Sequence, residues 1–195
     1  MTAALRIVDR RGLDALTMRS VGEALRCEAM SLYKHVAGKQ ALLDLVAERV
    51  VAEIQPPEAN VSWDDRLRHI VHEWRRVALA HPNVFPLLAT ALPASPNALG
   101  PVETTLGALR GAGLGDDAAI GYFWAFVAYT TGALLAECAA TTGAGSGSLS
   151  VPDAIDPGAF PHLAEVGVAL SQCDFRVEFE RGLEILIASV RGVTA

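Results

Sequence analysis

Arg26, Cys27 and Glu28 are all that separates two short apolar patterns, one carried by Val21 and Leu25 and the next by Met30 and Leu32. Helices joined this tightly cannot run antiparallel along their length; they must cross at a steep angle. The surrounding stretch, LTMRSVGEALRCEAMSLYKHVAGKQALLDLV at residues 16–46, then begins a third pattern at Leu42, Leu43 and Val46. Helical periodicity continues to the end of the chain and strand alternation is nearly absent, so the expected fold class is all-α.

Punctuation sets the expected elements. A helix over residues 2–11 turns Ala4, Leu5 and Val8 inward and stops at Gly12. Thr17 is a good cap for the second helix, and Leu16 with Val21 has the spacing of a hydrophobic staple. The third helix is expected from Glu28 to about Val36, and the fourth from Lys39 to about Ile54, where Pro56-Pro57 ends it. That is the expected domain boundary: 1–54 as a three-helix helix-turn-helix unit with the helix after it, and 55–195 as a second helical domain. Later helices are expected from Ser62 to about Ala80, around 98–111, from Asp116 to about Ala140, and from Asp174 onward. His81-Pro82, Pro93 and Pro96 interrupt the chain, and TTGAGSGSLSVPDAIDPG reads as a loop.

Charge divides at the same boundary. Residues 1–54 carry eight Lys/Arg against seven Asp/Glu, a net of +1, and the remainder is −7, together the −6 of the whole chain. An acidic total therefore leaves room for a polyanion partner, confined to the N-terminal segment. Hydrophobic residues make up 51% of the chain, enough for a sizeable core. Charged or polar residues interrupt every candidate membrane span, and the first residues are too charged for a secretion signal, so a cytoplasmic protein without a membrane partner is expected. Cys27, Cys138 and Cys173 are odd in number and lack C-x-x-C spacing, which fits idle thiols.

Two crossing helices with a tight turn form the unit that helix-turn-helix proteins set into the major groove of double-stranded DNA. Thr17 and Arg19, at the start of the first helix, can meet phosphate. Glu28, Ala29, Met30 and Ser31 open the second, where side chains face base edges. Tyr33, Lys34 and His35 lie together on it, and Lys39 sits in the first turn of the next helix, where a cation opposes the helix dipole unless an anion comes to meet it. Tyr-Lys-His on a short helix also fits a merely solvated face.

The stretch resembles the helix-turn-helix of the tetracycline-repressor (TetR) family. The usual pattern there is a Thr-x-x-x-Ile/Val-Ala opening, a Leu-Gly-Val turn, then Leu-Tyr-x-His-Phe/Val-x-x-Lys-x-x-Leu. Leu32, Tyr33, His35, Val36, Lys39, Leu42 and Leu43 match it. ALRIVDRRGLDALT, and more loosely SWDDRLRHIVHEWRRVALAHP and FERGLEILI, extend the resemblance, the last two toward the tetracycline-repressor subgroup. Arg26 and Cys27 replace the Gly-Val of the turn, and the first helix lacks a basic arm. Glu28 to Ser31 occupy the variable positions; Ala29 and Met30 can make only apolar contacts there, such as with thymine methyls.

The resemblance implies a sensor domain that holds a small molecule and dimerises through its last helices. Apolar side chains at Trp74, Phe85, Leu88, Leu106, Phe123, Phe126 and Tyr129, with Leu92 among their neighbours, are candidates for the pocket, although aromatics at helical spacing are more often plain core. Phe175, Phe179, Leu183 and Leu186, at steps of three and four, are expected to form the homodimer face. The positions that would hold magnesium-tetracycline align with Ala128, Ala136 and Leu88, none of them a metal ligand. His69, His72 and Glu73 lack H-E-x-x-H spacing. No metal or cofactor is therefore expected, and the effector should be a small apolar or aromatic molecule. The expected function is a ligand-responsive DNA-binding transcriptional regulator, a repressor released from its operator by that molecule, and not an enzyme. The alternative is a small-molecule-binding protein or enzyme of the same fold without operator binding.

Overall fold

The computed structural model describes residues 2–90, 95–145, 151–152, 155–172 and 174–194. Leu92, Pro93, Cys173 and part of the glycine-rich loop lie outside them. The described residues form ten α-helices and a 3-10 turn at Leu13–Ala15, with no strand among them. In order these are α1 (Thr2–Arg11), α2 (Met18–Leu25), α3 (Ala29–Leu32), α4 (Lys39–Val51), α5 (Trp63–Ala80), α6 (Phe85–Thr90), α7 (Pro96–Gly111), α8 (Asp116–Thr142), α9 (Pro161–Ser171) and α10 (Phe175–Thr194).

Several helix starts obey the capping chemistry of the sequence. Thr17 Oγ1 accepts from the Ser20 amide and Ser20 Oγ accepts from the Thr17 amide, both at 3.0 Å. Ser20 thus completes a capping box with a hydroxyl where Glu is usual. Ser62 caps α5, and Asp174 Oδ1 accepts from the Arg176 and Val177 amides at 3.0 and 3.1 Å. Two helices escape the sequence pattern. The six residues of α6 are too few to show a period, and α9 starts at Pro161 inside a region rich in glycine and proline.

Two buried clusters hold the helices together. One is built from α5, α7, α8 and α10 around Leu67, Leu109, Leu134 and Leu183. The other joins α1, α2 and α4, through Val8, Leu16, Val46 and Val50, to Val77, Val84, Leu88 and Ala98 of the later chain. Ile54 and Trp74 pack against both. The helices before Pro56-Pro57 therefore share an apolar core with the start of the second region. Burial of this kind stabilises by roughly 25 cal/mol per Å² of apolar surface, so movement of one part is felt by the other.

One sequence reading gives way here: α8 is 27 residues long and apolar enough to cross a membrane. Part of that apolar length packs inward. Ala119, Phe126, Leu134 and Cys138 enter the core, and Glu137 is buried in an ion pair with Arg75 of α5.

Candidate functional site

The turn between α2 and α3 is made without its usual glycine. Arg26 caps α2 at φ 56, ψ 40, in the left-handed region, and its amide donates to Glu23 and Gly22 carbonyls. A side chain there costs on the order of 1 kcal/mol, offset by the packing of α2 on α3. Close approach is secured one turn earlier, because a Cβ at Gly22 would stand 2.8 Å from the Cys27 carbonyl oxygen. Gly22 is a positioning residue that sequence reasoning missed. Its signal was a glycine inside a helix, which costs up to about 1 kcal/mol relative to alanine unless the space is needed.

Helix α3 is shorter than expected. Regular helix covers Ala29–Leu32, and residues 33–35 continue as turns, with the His35 and Val36 amides both donating to the Leu32 carbonyl at 2.9 Å. Glu28, Met30, Ser31, Tyr33, Lys34 and His35 all face solvent, Met30 being 73% exposed. Ala29 does not reach outward; it is half-buried, with its backbone against Gly22. Thr17 spends its hydroxyl on the α2 cap, and Arg19 pairs with Glu23 at 2.9 Å.

Lys39 begins α4, whose N-terminus has no side-chain cap. Gly38 precedes it at φ 130, a value that favours glycine. Among the described residues, the side chains of Tyr33, Lys34, His35 and Lys39 have neither a hydrogen bond nor an ion pair. This patch of exposed donors beside the open N–H groups of α4 is suited to a phosphate-bearing surface.

In the second region a cavity of about 340 Å³ lies between α5, α6, α7 and α8. Trp74, Phe85, Leu88, Phe123 and Phe126 line it, and no lining residue carries a charge. Its polar groups are threonines. Thr105 donates to the Pro101 carbonyl and Thr90 to the Leu87 carbonyl, at 2.9 and 3.0 Å. The hydroxyls of Thr130 and Thr131 have no such partner among the described residues. Trp124 lines the cavity while 62% exposed, which places it at the mouth.

Two expected pocket residues stand elsewhere: Leu106 and Tyr129 do not line this cavity. Tyr129 turns toward α10, where its hydroxyl donates to the Phe179 carbonyl at 2.5 Å, and burial raises its pKa. A Cβ at Gly182 would run into the Tyr129 ring, so Gly182 sets the closeness of α8 and α10. The expected dimer face is corrected as well. Phe179 and Leu183 are 2% and 0% exposed and belong to the chain's own core; Leu186 packs against it and Phe175 is half-buried. Steps of three and four reveal an apolar face but not its covering. The outward apolar side chains are Ile120, Trp124 and Leu135 on α8, with Ile185 and Val193 on α10.

Several ionisable groups of the second region are used internally. Arg75 of α5 and Glu137 of α8 form a two-pronged pair at 2.6 and 2.9 Å, with the Arg75 guanidinium 5.4 Å from the Phe179 ring centre. Glu137, one residue from the position where a metal ligand would align, is thus occupied. His69 meets the Gln55 carbonyl and His72 meets Glu180, each at 3.0 Å. Burial pushes the Cys138 thiol up to about 11, and Cys27 is exposed.

Comparison with known proteins places both halves together. The family model described as "Tetracyclin repressor-like, C-terminal domain" matches residues 55–194. The chain is 34% identical to an HTH-type transcriptional regulator of Saccharopolyspora erythraea, over 97% of this chain and 82% of that one. It superposes on the crystal structure of a possible TetR family transcriptional regulator from Streptomyces coelicolor A3(2) with TM-score 0.82 at 32% identity, covering 98% and 97% of the two chains. The TetR family protein ActR from Streptomyces coelicolor, in complex with actinorhodin, superposes with TM-score 0.84 at 29% identity, covering 100% and 95%.

Proposed function

We propose that this chain, which belongs to the tetracycline-repressor (TetR) family of DNA-binding transcriptional regulators, is a cytoplasmic repressor released from its operator by a small, uncharged aromatic molecule. A single pairing of features carries the reading. One end of the fold presents exposed donors without internal partners at Tyr33, Lys34, His35 and Lys39. The other encloses a cavity of about 340 Å³ with aromatic walls and no charge. ActR, solved in complex with actinorhodin, supports a small-molecule effector. Two free hydroxyls, Thr130 and Thr131, favour one that carries acceptor oxygens.

Operator sites with two-fold symmetry need a dimer. The outward apolar side chains of α8 and α10, Trp124 and Ile185 among them, support self-association through these helices. The alternative of a fold that has lost operator binding draws on Arg26 and on the missing basic arm. Arg26 nevertheless closes the turn in the left-handed conformation, which supports a working helix-turn-helix.

A gel shift with the duplex upstream of the chain's own gene tests the proposal. Wild-type protein should retard it, and Trp74→Ala should retard it equally while losing response to the effector. Protein that leaves the duplex unshifted at micromolar concentration and low salt would refute operator binding. Ile185→Asp should give monomers in ultracentrifugation; an intact dimer would remove this face from the interface.

A further inference from the structure

His81 closes α5 and turns the chain into α6. Its amide donates to the Val77 carbonyl at 3.0 Å, and its carbonyl accepts from Val84 and Phe85 at 2.9 and 3.1 Å. The side chain is 13% exposed and stands between two carboxylates from the other region. Nδ1 lies 3.0 Å from Asp9 Oδ1 on α1, and Nε2 lies 3.2 Å from Glu53 Oε2 just beyond α4. Two residues on, Asn83 Nδ2 donates to the Asp9 carbonyl at 2.9 Å.

Cations complete the surroundings. Arg49 reaches Glu53 at 3.4 Å, and Arg76 donates to the Glu53 carbonyl at 2.6 Å while holding Glu73. The corner thus holds the first helix and the end of the fourth, between which the reading helices are packed. It leads directly into Phe85 and Leu88, two walls of the cavity.

A protonated imidazole donates to both carboxylates at once. A neutral ring has one N–H, so its other nitrogen would face a carboxylate oxygen with no proton between them. This joint is directional, unlike the apolar packing around it: two ring nitrogens on one rigid imidazole face carboxylate oxygens from two different helical segments. An element of that kind can pass a shift of α6 to α1 and α4.

We infer that His81 is the joint through which the cavity region positions the reading head, with Asp9 and Glu53 as its two anchors. The inference rests on the regulator reading above, and its experiment is separable from it. Amide hydrogen exchange of the full chain, wild type against His81→Gln, reads the joint without ligand or DNA. Exchange in α1 and the last turn of α4 should accelerate about tenfold while α8 and α10 keep wild-type rates. A residue with only a general structural role would accelerate every element together, and that result overturns the inference. Wild-type rates in α1 and α4 overturn it too. Asp9→Asn, which alters one oxygen and no packing, should reproduce the effect in α1 and add little on the His81→Gln background; full additivity would show that the two act separately and sink the joint. Failure of wild type to shift the upstream duplex would sink the regulator reading, and the exchange pattern would still decide the joint.

Discussion

Residues 1–54 and residues 55–195 carry eight basic side chains each, yet the two sets are used in opposite ways. In the second region Arg68, Arg75, Arg76, Arg110, Arg181 and Arg191 all hold carboxylates. In the first, among the described residues, only Arg19 and Arg49 do, each with an acid four residues further along the chain. Arg10, Arg11, Arg26, Lys34 and Lys39 have no ion pair among the described residues. Net charge, +1 against −7, states this contrast weakly. Availability states it better: the second region pairs most of its cations with carboxylates, and the first leaves most of its own exposed and, among the described residues, without an ion pair.

The largest test of that contrast is Glu137→Ala. It leaves the Arg75 guanidinium, whose side chain is only 20% exposed, without its partner. Removing one member of a buried pair costs about 3 kcal/mol, so the urea midpoint should fall with the slope unchanged. A loss under about 1 kcal/mol would put Arg75 among the spare cations and break the contrast.

Next in size is Lys39→Ala. It should weaken duplex binding by roughly 1–2 kcal/mol, as loss of a charge-assisted phosphate contact does, and lower the salt slope by about one. Thermal stability should stay the same, because Lys39 holds nothing inside the protein. Unchanged affinity and slope would show that an unpaired cation is not, here, a reserved one.

The two regions also differ in how much of them the sequence discloses. Around residues 16–46 the information is local. Thr17 caps the helix after it, three residues separate the helices, and Gly38 precedes Lys39, so elements and exposed donors are legible with small errors. Ala29 reads as outward-facing because its half-burial depends on contact with Gly22, which periodicity does not show. On α10 the apolar repeat is plain, but Phe179 and Leu183 turn to the chain's own core while Ile185 and Val193 face out. Which of two apolar faces is covered depends on where α8 lies, and Gly182 against Tyr129 fixes that across 53 residues of sequence. Leu106 and Tyr129 escape correct placement for the same reason. The His81 joint is out of reach because its anchors are 72 and 28 positions away.

Acid should sharpen the contrast more gently. Arg76 holds the Glu73 carboxyl below its ordinary range, Arg68 does so for Glu184, and Ser62 with Arg68 and Arg191 holds Asp64 lower still. Groups depressed on folding contribute stability above their unfolded pKa and lose it as pH falls through the folded value. Arg68→Gln should therefore cost about 1 kcal/mol at neutral pH, after discounting for solvent. That cost should shrink as pH drops below about 4, the ordinary carboxylate value. A cost independent of pH would mean that Arg68 acts through its packing and not through its charge.

The smallest expected effect lies on the reading head itself. Arg19 and Glu23 are paired at 2.9 Å with side chains 87% and 65% exposed, so water screens the pair and its loss should leave the urea midpoint where it was. Glu23→Gln nevertheless removes a negative charge beside the proposed DNA surface and frees a guanidinium four residues away. Duplex affinity at low salt should rise about twofold, and the salt slope should steepen because one more cation is available to displace counterions. Weaker binding would mean that Glu23 orients Arg19 toward phosphate. Then the one paired cation on α2 would serve the partner just like the unpaired ones around it, and availability alone would no longer separate the two regions.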